Sequence, residues 1–181
     1  MKKLGLILIT LIAAVGCACT MTKASDAVKE YLGKYNNQDA EVLVELDTLV
    51  KEENLSDEQQ EKYKDVMKKQ YTDLKYEIVD ETYNGDEAIV TTKITVYDLY
   101  KAQQDAEKYK EEHEDEFKND NKVYDAKLFL DYKIEEMKKS DKTVEYTIDF
   151  KVIKKDGKWV MDNVSTKDLE KIHGIYNYSN D

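Results

Sequence analysis

The 181-residue chain has no proline and no arginine, and its 28 basic residues are all lysine. With only six glycines, it offers no glycine-rich loop to cradle a phosphate. No Gly-x-Ser-x-Gly is present, which sets aside the serine nucleophile of that elbow. No His-Glu-x-x-His occurs, and Asn119-Asp120-Asn121 lacks the turn glycine that an EF-hand loop needs. No Pro/Gly/Ser-rich stretch, repeat or low-complexity block divides the chain. Cysteine occurs twice, at Cys17 and Cys19, so the remainder has no disulfide and no thiol chemistry. A basic patch is missing too. The net charge is −11, and losing residues 1–16 would take Lys2 and Lys3 and lower it to −13. Such a chain is repelled by nucleic-acid phosphates and by anionic lipid surfaces. An acidic surface also simply keeps an exported protein dispersed.

The two cysteines follow an apolar run. Met1-Lys2-Lys3 is basic, Leu4 to Val15 carries no charge, and Ala13, Ala14 and Gly16 are small. That is the pattern of a secretory signal peptide. The strongly apolar part falls short of the ~20 residues of a membrane-spanning helix. Weakly polar residues on to Thr22 would stretch it to a marginal span, so an uncleaved anchor is the alternative reading. Cys-Ala-Cys is not the usual two-residue redox spacing. The stretch Ala14-Val15-Gly16-Cys17 resembles the lipobox of bacterial lipoproteins, with Ala14 where leucine is commonest; Cys19 is a weaker second candidate. The resemblance implies cleavage before Cys17, diacylation of its sulfur, and a place on the outer, extracytoplasmic face of the cell membrane. Two acyl chains anchor a protein stably where one binds marginally. The lysine, tyrosine, asparagine and isoleucine bias fits AT-rich coding, as in many low-GC Gram-positive bacteria. The expected organisation is a signal peptide over 1–16, a lipidated tether over 17–24, and one domain over 25–181.

Within that domain, helical spacing comes first. Ser25 is the expected cap of a helix carrying Val28, Tyr31, Leu32 and Tyr35, which Asn36-Asn37 ends. Val42, Leu43, Leu46, Leu49 and Val50 mark a second helix, and Ser56-Asp57-Glu58-Gln59 is a capping box for a third. The period then drops to two. Leu74, Tyr76 and Ile78 lead through an Asn84-Gly85-Asp86 turn to Ala88, Val90, Ile94 and Val96. Residues 98–139 are again helix formers, with Ala126, Leu130, Ile134 and Met137 as the second helix's stripe. A last hairpin, Val144 to Met161, turns at Asp156-Gly157 before a short helix capped by Ser165 or Thr166.

The run KVIKKDGKWVMDNV, residues 151–164, closing such a sheet resembles the final hairpin of NTF2-like, cystatin-like domains. The resemblance implies an α+β fold, with N-terminal helices packed on a curved antiparallel sheet. The helical insertion between the two hairpins departs from the family plan.

Candidate chemistry is sparse. Enzymes of that family hold a carboxylate or histidine with tyrosines inside the cone, which points to Asp80, Thr82 and Thr92 with Tyr76 and Tyr146. No family motif matches residue by residue, and Asp80 and Thr82 read more simply as exposed beside the Asn-Gly turn. Glu112 and Glu116, with His113, have helical spacing that could hold a cation, but lysines interrupt the run and favour a solvated face. His173, at the end of the last helix, suits a cation favoured by the helix dipole. Tyr97, Tyr100, Tyr124 and Tyr132 could line a groove between the inserted helices and the sheet, or merely edge the core. No cofactor, metal ligand set or catalytic residue is assigned. The expectation is a lipid-anchored binding or interaction module whose partner is an envelope protein or a small molecule. A small pocket enzyme acting on an apolar molecule and a purely structural envelope lipoprotein are the alternatives.

Overall fold

The computed structural model describes residues 22–52 and 55–180. Three helices lead: α1 (Ala24–Asn36), α2 (Ala40–Glu52) and α3 (Asp57–Asp73). Two hairpins follow, β1 (Lys75–Asn84) with β2 (Glu87–Tyr97), and β3 (Thr143–Lys155) with β4 (Lys158–Met161). Between them lie α4 (Leu99–Glu112), a 3₁₀ turn over Glu114–Phe117 and α5 (Ala126–Lys139), and α6 (Thr166–Ile172) closes the chain. The described residues thus form an α+β fold of six α-helices and one open antiparallel sheet in the order β1-β2-β3-β4.

Helix α1 starts earlier than Ser25. Lys23 holds the cap position, and its N–H donates to the Asp26 carboxylate at 3.2 Å. The next two N–H groups find partners on β1: Ala24 donates to the Tyr83 hydroxyl at 3.2 Å and Ser25 to Glu81 at 3.1 Å. Tertiary acceptors satisfy the helix start, so no serine cap is needed. At the other end, the Asn36 amide donates to the carbonyls of Tyr71 and Leu74, joining the ends of α1 and α3. Ser56 caps α3 as expected, and Gln59 of that capping box also donates to the Lys127 carbonyl at 3.1 Å, tying α3 to α5.

The sheet's period-two pattern is that of a half-buried meander. Ala88, Val90, Thr92, Ile94 and Val96 of β2, with Ile148, Phe150 and Val152 of β3, are buried together with Ala27, Val28, Leu32 and Tyr35 of α1. Burying a leucine, isoleucine or phenylalanine of this set contributes about 1.5–3 kcal/mol each. The opposite face is polar and cross-paired, Thr91 with Asp149 at 2.7 Å and Lys93 with Glu145 at 2.8 Å. A register shift between Ile78 and Asp80 puts a bulge in the edge strand β1. Gly85 takes φ 63°, and Asp156 and Gly157 take φ 51° and 78°. Both tight turns lie at one end of the sheet, while Tyr97 pairs with Thr143 at the other, where the helical insertion leaves and returns.

At that second end, α3, β2 and the C-terminal segment meet on a buried side chain. The Gln70 carbonyl oxygen accepts the Tyr97 N–H at 2.9 Å, and its amide donates to the Ile172 carbonyl at 3.3 Å. Gly174 (φ 71°) packs so closely that a Cβ would lie 2.2 Å from the Tyr97 carbonyl oxygen and 2.6 Å from Nε2 of Gln70. The α5 stripe also differs in part from its expected one. Ile134 and Met137 are buried, but Phe129 takes the place given to Ala126, which is exposed, and Leu130 is half-buried. The helix packs against α3 and α4 together, which turns its buried face toward Phe129.

Gly174→Ala combines a strained left-handed φ with backbone collision. It should lower stability by about 2–4 kcal/mol in urea unfolding, whereas Gly33→Ala, in open helical space, should stabilise slightly.

Candidate functional site

The helical insertion has a small core of its own. Asp98 caps α4 by accepting the Lys101 N–H at 2.9 Å, and Asp125 caps α5 by accepting that of Lys127 at 2.9 Å. Ala106, Phe117 and Phe129 are buried between the two helices, flanked by Tyr109 and Tyr132. Phe117 meets Phe129 and Tyr132 edge-on, both at 5.4 Å. Three rings stack in series: His113 lies 3.9 Å from Tyr109, and Tyr109 lies 4.9 Å from Tyr132. The Tyr109 hydroxyl donates to Glu116 at 3.0 Å, and that carboxylate raises the phenol's pKa. Ammonium groups of Lys110 and Lys133 lie over the Phe129 ring at 4.4 and 5.6 Å.

The loop at the insertion's far end is tightly tied. Asn119 Oδ1 accepts the N–H groups of Asn121 and Val123, the Asn119 N–H donates to the Val123 carbonyl, and Asp125 donates to Phe117. Lys122 sits at φ 60°. This loop and the first turn of α5 present Val123, Tyr124 and Leu128 to solvent, with exposures of 60%, 51% and 42%. They form an apolar tip on an otherwise charged surface, the kind of patch that marks an interaction site.

The four tyrosines named from the sequence divide between the ends of the insertion. Tyr124 lies on the tip, and Tyr132 is inside the ring stack. Tyr97 and Tyr100 lie at the root. The Tyr97 hydroxyl donates to Asp73 at 2.8 Å, with the Lys69 ammonium 4.4 Å from its ring. The Tyr100 hydroxyl donates to Asn177 at 2.7 Å, and its ring meets Tyr178 at 4.9 Å. The space beside Tyr100 is therefore filled by the chain's own C-terminal segment. The helical spacing that sets His113 in line with Leu99, Ala106 and Tyr109 matches the Tyr109–His113 stack, whereas Val123 and Leu128 were not singled out; the available signal was an apolar pair just ahead of the capping Asp125. A polar depression of about 150 Å³ lies between Asp98, Lys101 and Asp105 of α4 and Glu136 and Lys139 of α5. It is well below the usual ~300–1,000 Å³ of a small-molecule site.

Under α1, aromatic rings occupy the interior. Tyr31 and Tyr35 share a hydroxyl–hydroxyl bond of 3.2 Å, Tyr35 meets Tyr71 at 5.1 Å, and Tyr31 meets Phe150 at 6.1 Å. Burial raises the pKa of all three tyrosines, and burial with the nearby Glu41 charge raises that of Glu45. Asp80 and Thr82 are exposed on β1, outside this interior; Thr92 is buried and donates to the Val90 carbonyl. His173 is not the expected cation. The residue is only half-buried, but its ring lies 5.6 Å from Tyr71 and 6.2 Å from Tyr35, and removal from water holds its pKa down to about 4. Packing against rings, not the helix dipole, decides its charge. His113 is the C-cap of α4, and among the described residues no three His, Cys, Asp or Glu side chains are grouped to hold a metal ion. Cys17, with all of residues 1–21, lies outside the described residues. Among the described residues, no helix is long and apolar enough to cross a membrane.

No family model matches the chain, and no curated protein matches it. Among solved structures it is similar to one from Bacillus subtilis subsp. subtilis str. 168, described as a "putative lipoprotein (ycdA)". The two share 17% identity and a TM-score of 0.42, over 67% of this chain and 39% of that one. The chain thus spans well under half the length of that protein.

Phe129→Ala should cost about 3–5 kcal/mol within the insertion. Hydrogen exchange should then show the distal halves of α4 and α5 losing protection while β2 and β3 keep theirs. His173 gives a pH dependence of known sign. The unfolded imidazole titrates near ~6.5 and the folded one at about 4, so the unfolded chain binds more protons between those values. Stability is complete above about pH 6.5 and falls toward pH 4 by roughly 2–3 kcal/mol. The raised carboxyls of Glu45 and Glu170 act in the opposite direction and soften the slope. Urea midpoints at several pH values should show the decline, and His173→Phe should flatten it.

Proposed function

We propose that the protein is a lipid-anchored, extracytoplasmic interaction module that binds a protein partner through the apolar tip of its helical insertion. The observation that carries the reading is the placement of Val123, Tyr124 and Leu128. Val123 and Tyr124 are exposed on a loop that hydrogen bonds hold in one conformation, and Leu128 is exposed in the first turn of α5 that follows it. A pre-ordered apolar loop loses little conformational entropy on docking. The lipobox-like Ala14-Val15-Gly16-Cys17 supports the anchor. The helix α1 laid along a four-stranded meander supports an NTF2-like, cystatin-like ancestry, with the insertion as the added, partner-facing part. The insertion leaves and returns at the end of the sheet opposite the start of α1, so its root is at the end away from the chain's entry.

Two measurements test this. Cys17→Ser should abolish acyl labelling and move the full-length protein from the membrane to the soluble fraction; unchanged labelling would remove the anchor. A photo-crosslinking residue at Val123 should give a discrete protein adduct in intact envelopes. One at Thr147, on the polar sheet face, should give none. Loss of the adduct on Leu128→Asp supports the tip as the interface. Equal labelling at both positions would refute it.

A further inference from the structure

Net charge conceals a local feature at the end of the sheet where the chain enters the domain. The turn after β3 carries Lys154, Lys155 and Lys158, all exposed, and Lys23 stands at the start of α1. These belong to one surface. The Ala24 N–H donates to the Tyr83 hydroxyl at 3.2 Å, Tyr83 meets Trp159 edge-on at 5.4 Å, and the Lys154 ammonium lies 5.6 Å from the Trp159 ring. The Lys154 N–H also donates to the Asp86 carbonyl, locking the two turns together. None of these four lysines makes an ion pair within the described residues. The acids at this end are Asp26, Glu81, Asp86, Glu87 and Asp156; Asp26 accepts the Lys23 N–H and lies 3.9 Å from Lys29, and the Lys23 charge helps to lower the pKa of Glu81. Glu81 is engaged by the Ser25 N–H and the Tyr83 hydroxyl, and Glu87 lies 3.9 Å from Lys151. Asp86 and Asp156 are left as the unpaired acids among four unpaired lysines, in a domain that is otherwise strongly acidic.

We infer that this lysine-bearing end, made of the β3–β4 turn, the β1–β2 turn and the start of α1, is a foot that docks on anionic phospholipid headgroups and stands the domain upright on the membrane. The inference rests on the lipid-anchored reading. Five residues lie between Cys17 and Lys23, six steps of the chain, so Lys23 in the foot is at most about 20 Å from the acylated cysteine. That upper bound is about two and a half Debye lengths at physiological salt, and the tether lets the foot come closer. Within about one Debye length the unpaired ammonium groups feel the negative surface potential, while the acidic body is pushed away from it. Attraction at one end and repulsion elsewhere set an orientation, with the end of the sheet that carries the insertion's root pointing outward.

Trp159, the only tryptophan in the chain, sits in the foot and reports on it. Full-length acylated protein would be reconstituted into vesicles containing a lipid spin-labelled near its headgroup. Pure phosphatidylcholine would be compared with a mixture rich in phosphatidylglycerol. Trp159 quenching should be stronger in the anionic vesicles and should fade as salt rises. The combined change Lys23→Gln, Lys155→Gln and Lys158→Gln leaves Lys154 against the indole and should abolish the anionic excess. Each lysine should change the docked-to-undocked ratio roughly five-fold. Lys122→Gln, Lys127→Gln and Lys138→Gln, equal in charge but on the insertion, should leave it intact. Equal quenching in both lipids, or equal loss in both triple variants, overturns the foot. If the wild-type protein fails to float with vesicles, as Cys17→Ser should, the anchor itself falls and the foot falls with it.

Discussion

One carboxamide holds this architecture together. The two ends of the Gln70 amide bond the Tyr97 backbone N–H and the Ile172 backbone carbonyl, so α3, the end of β2 and the last helix share one buried group. The bond to Ile172 is buried and that to Tyr97 partly so, and leaving a buried polar group unpaired costs about 1–3 kcal/mol. Gly174 completes the joint because only a residue without a Cβ can lie against both Gln70 and Tyr97. The segment beyond it is then positioned to donate and accept around α4: Tyr100 N–H to the Gly174 carbonyl, the Tyr178 hydroxyl to Asp98, the Tyr100 hydroxyl to Asn177. The insertion is buckled to the sheet by the chain's own C-terminal residues.

From this joint the molecule extends in two directions of different chemistry. Along the sheet toward the tight turns, the inner face is aliphatic and aromatic, and the outer face is neutralised by cross-strand pairs. Along the insertion, stacked and edge-on rings replace aliphatic packing, and lysines lie over them. The second core is small and joins the first through α3, where Gln59 bonds the Lys127 carbonyl and Lys62 lies 3.8 Å from Asp131. A unit of that size has local stability of its own, distinct from that of the sheet.

Much of this was legible in the sequence because local signals and tertiary demands agree. The Ser56–Gln59 capping box, the Asn84-Gly85 turn, the period-two run from Ala88 to Val96 and the Asp156-Gly157 turn all occur where the residues place them. What the sequence did not show depends on contacts from afar. Ser25 lost the cap of α1 because Glu81 and Tyr83, more than fifty positions away, satisfy the helix start. Phe129 rather than Ala126 faces inward because α5 has two neighbours, whereas a single-face stripe presumes one. His173 is neutral because Tyr35 and Tyr71 exclude water from it, and nothing within its own helix signals that. Of the four tyrosines, only Tyr124 is on the exposed tip; Tyr132 supports it from within, and Tyr97 and Tyr100 have partners at the root.

The bulge at Ile78–Asp80 has a consequence for life among neighbours. β1 is a ten-residue edge, long enough to recruit a strand from another molecule. The bulge interrupts its hydrogen-bonding rhythm midway, and Glu77 and Asp80 put carboxylates on either side of the break. A second copy approaching that edge meets a kink and like charge where it would need a straight, neutral ladder. Crowding many copies side by side therefore does not convert them into a shared sheet.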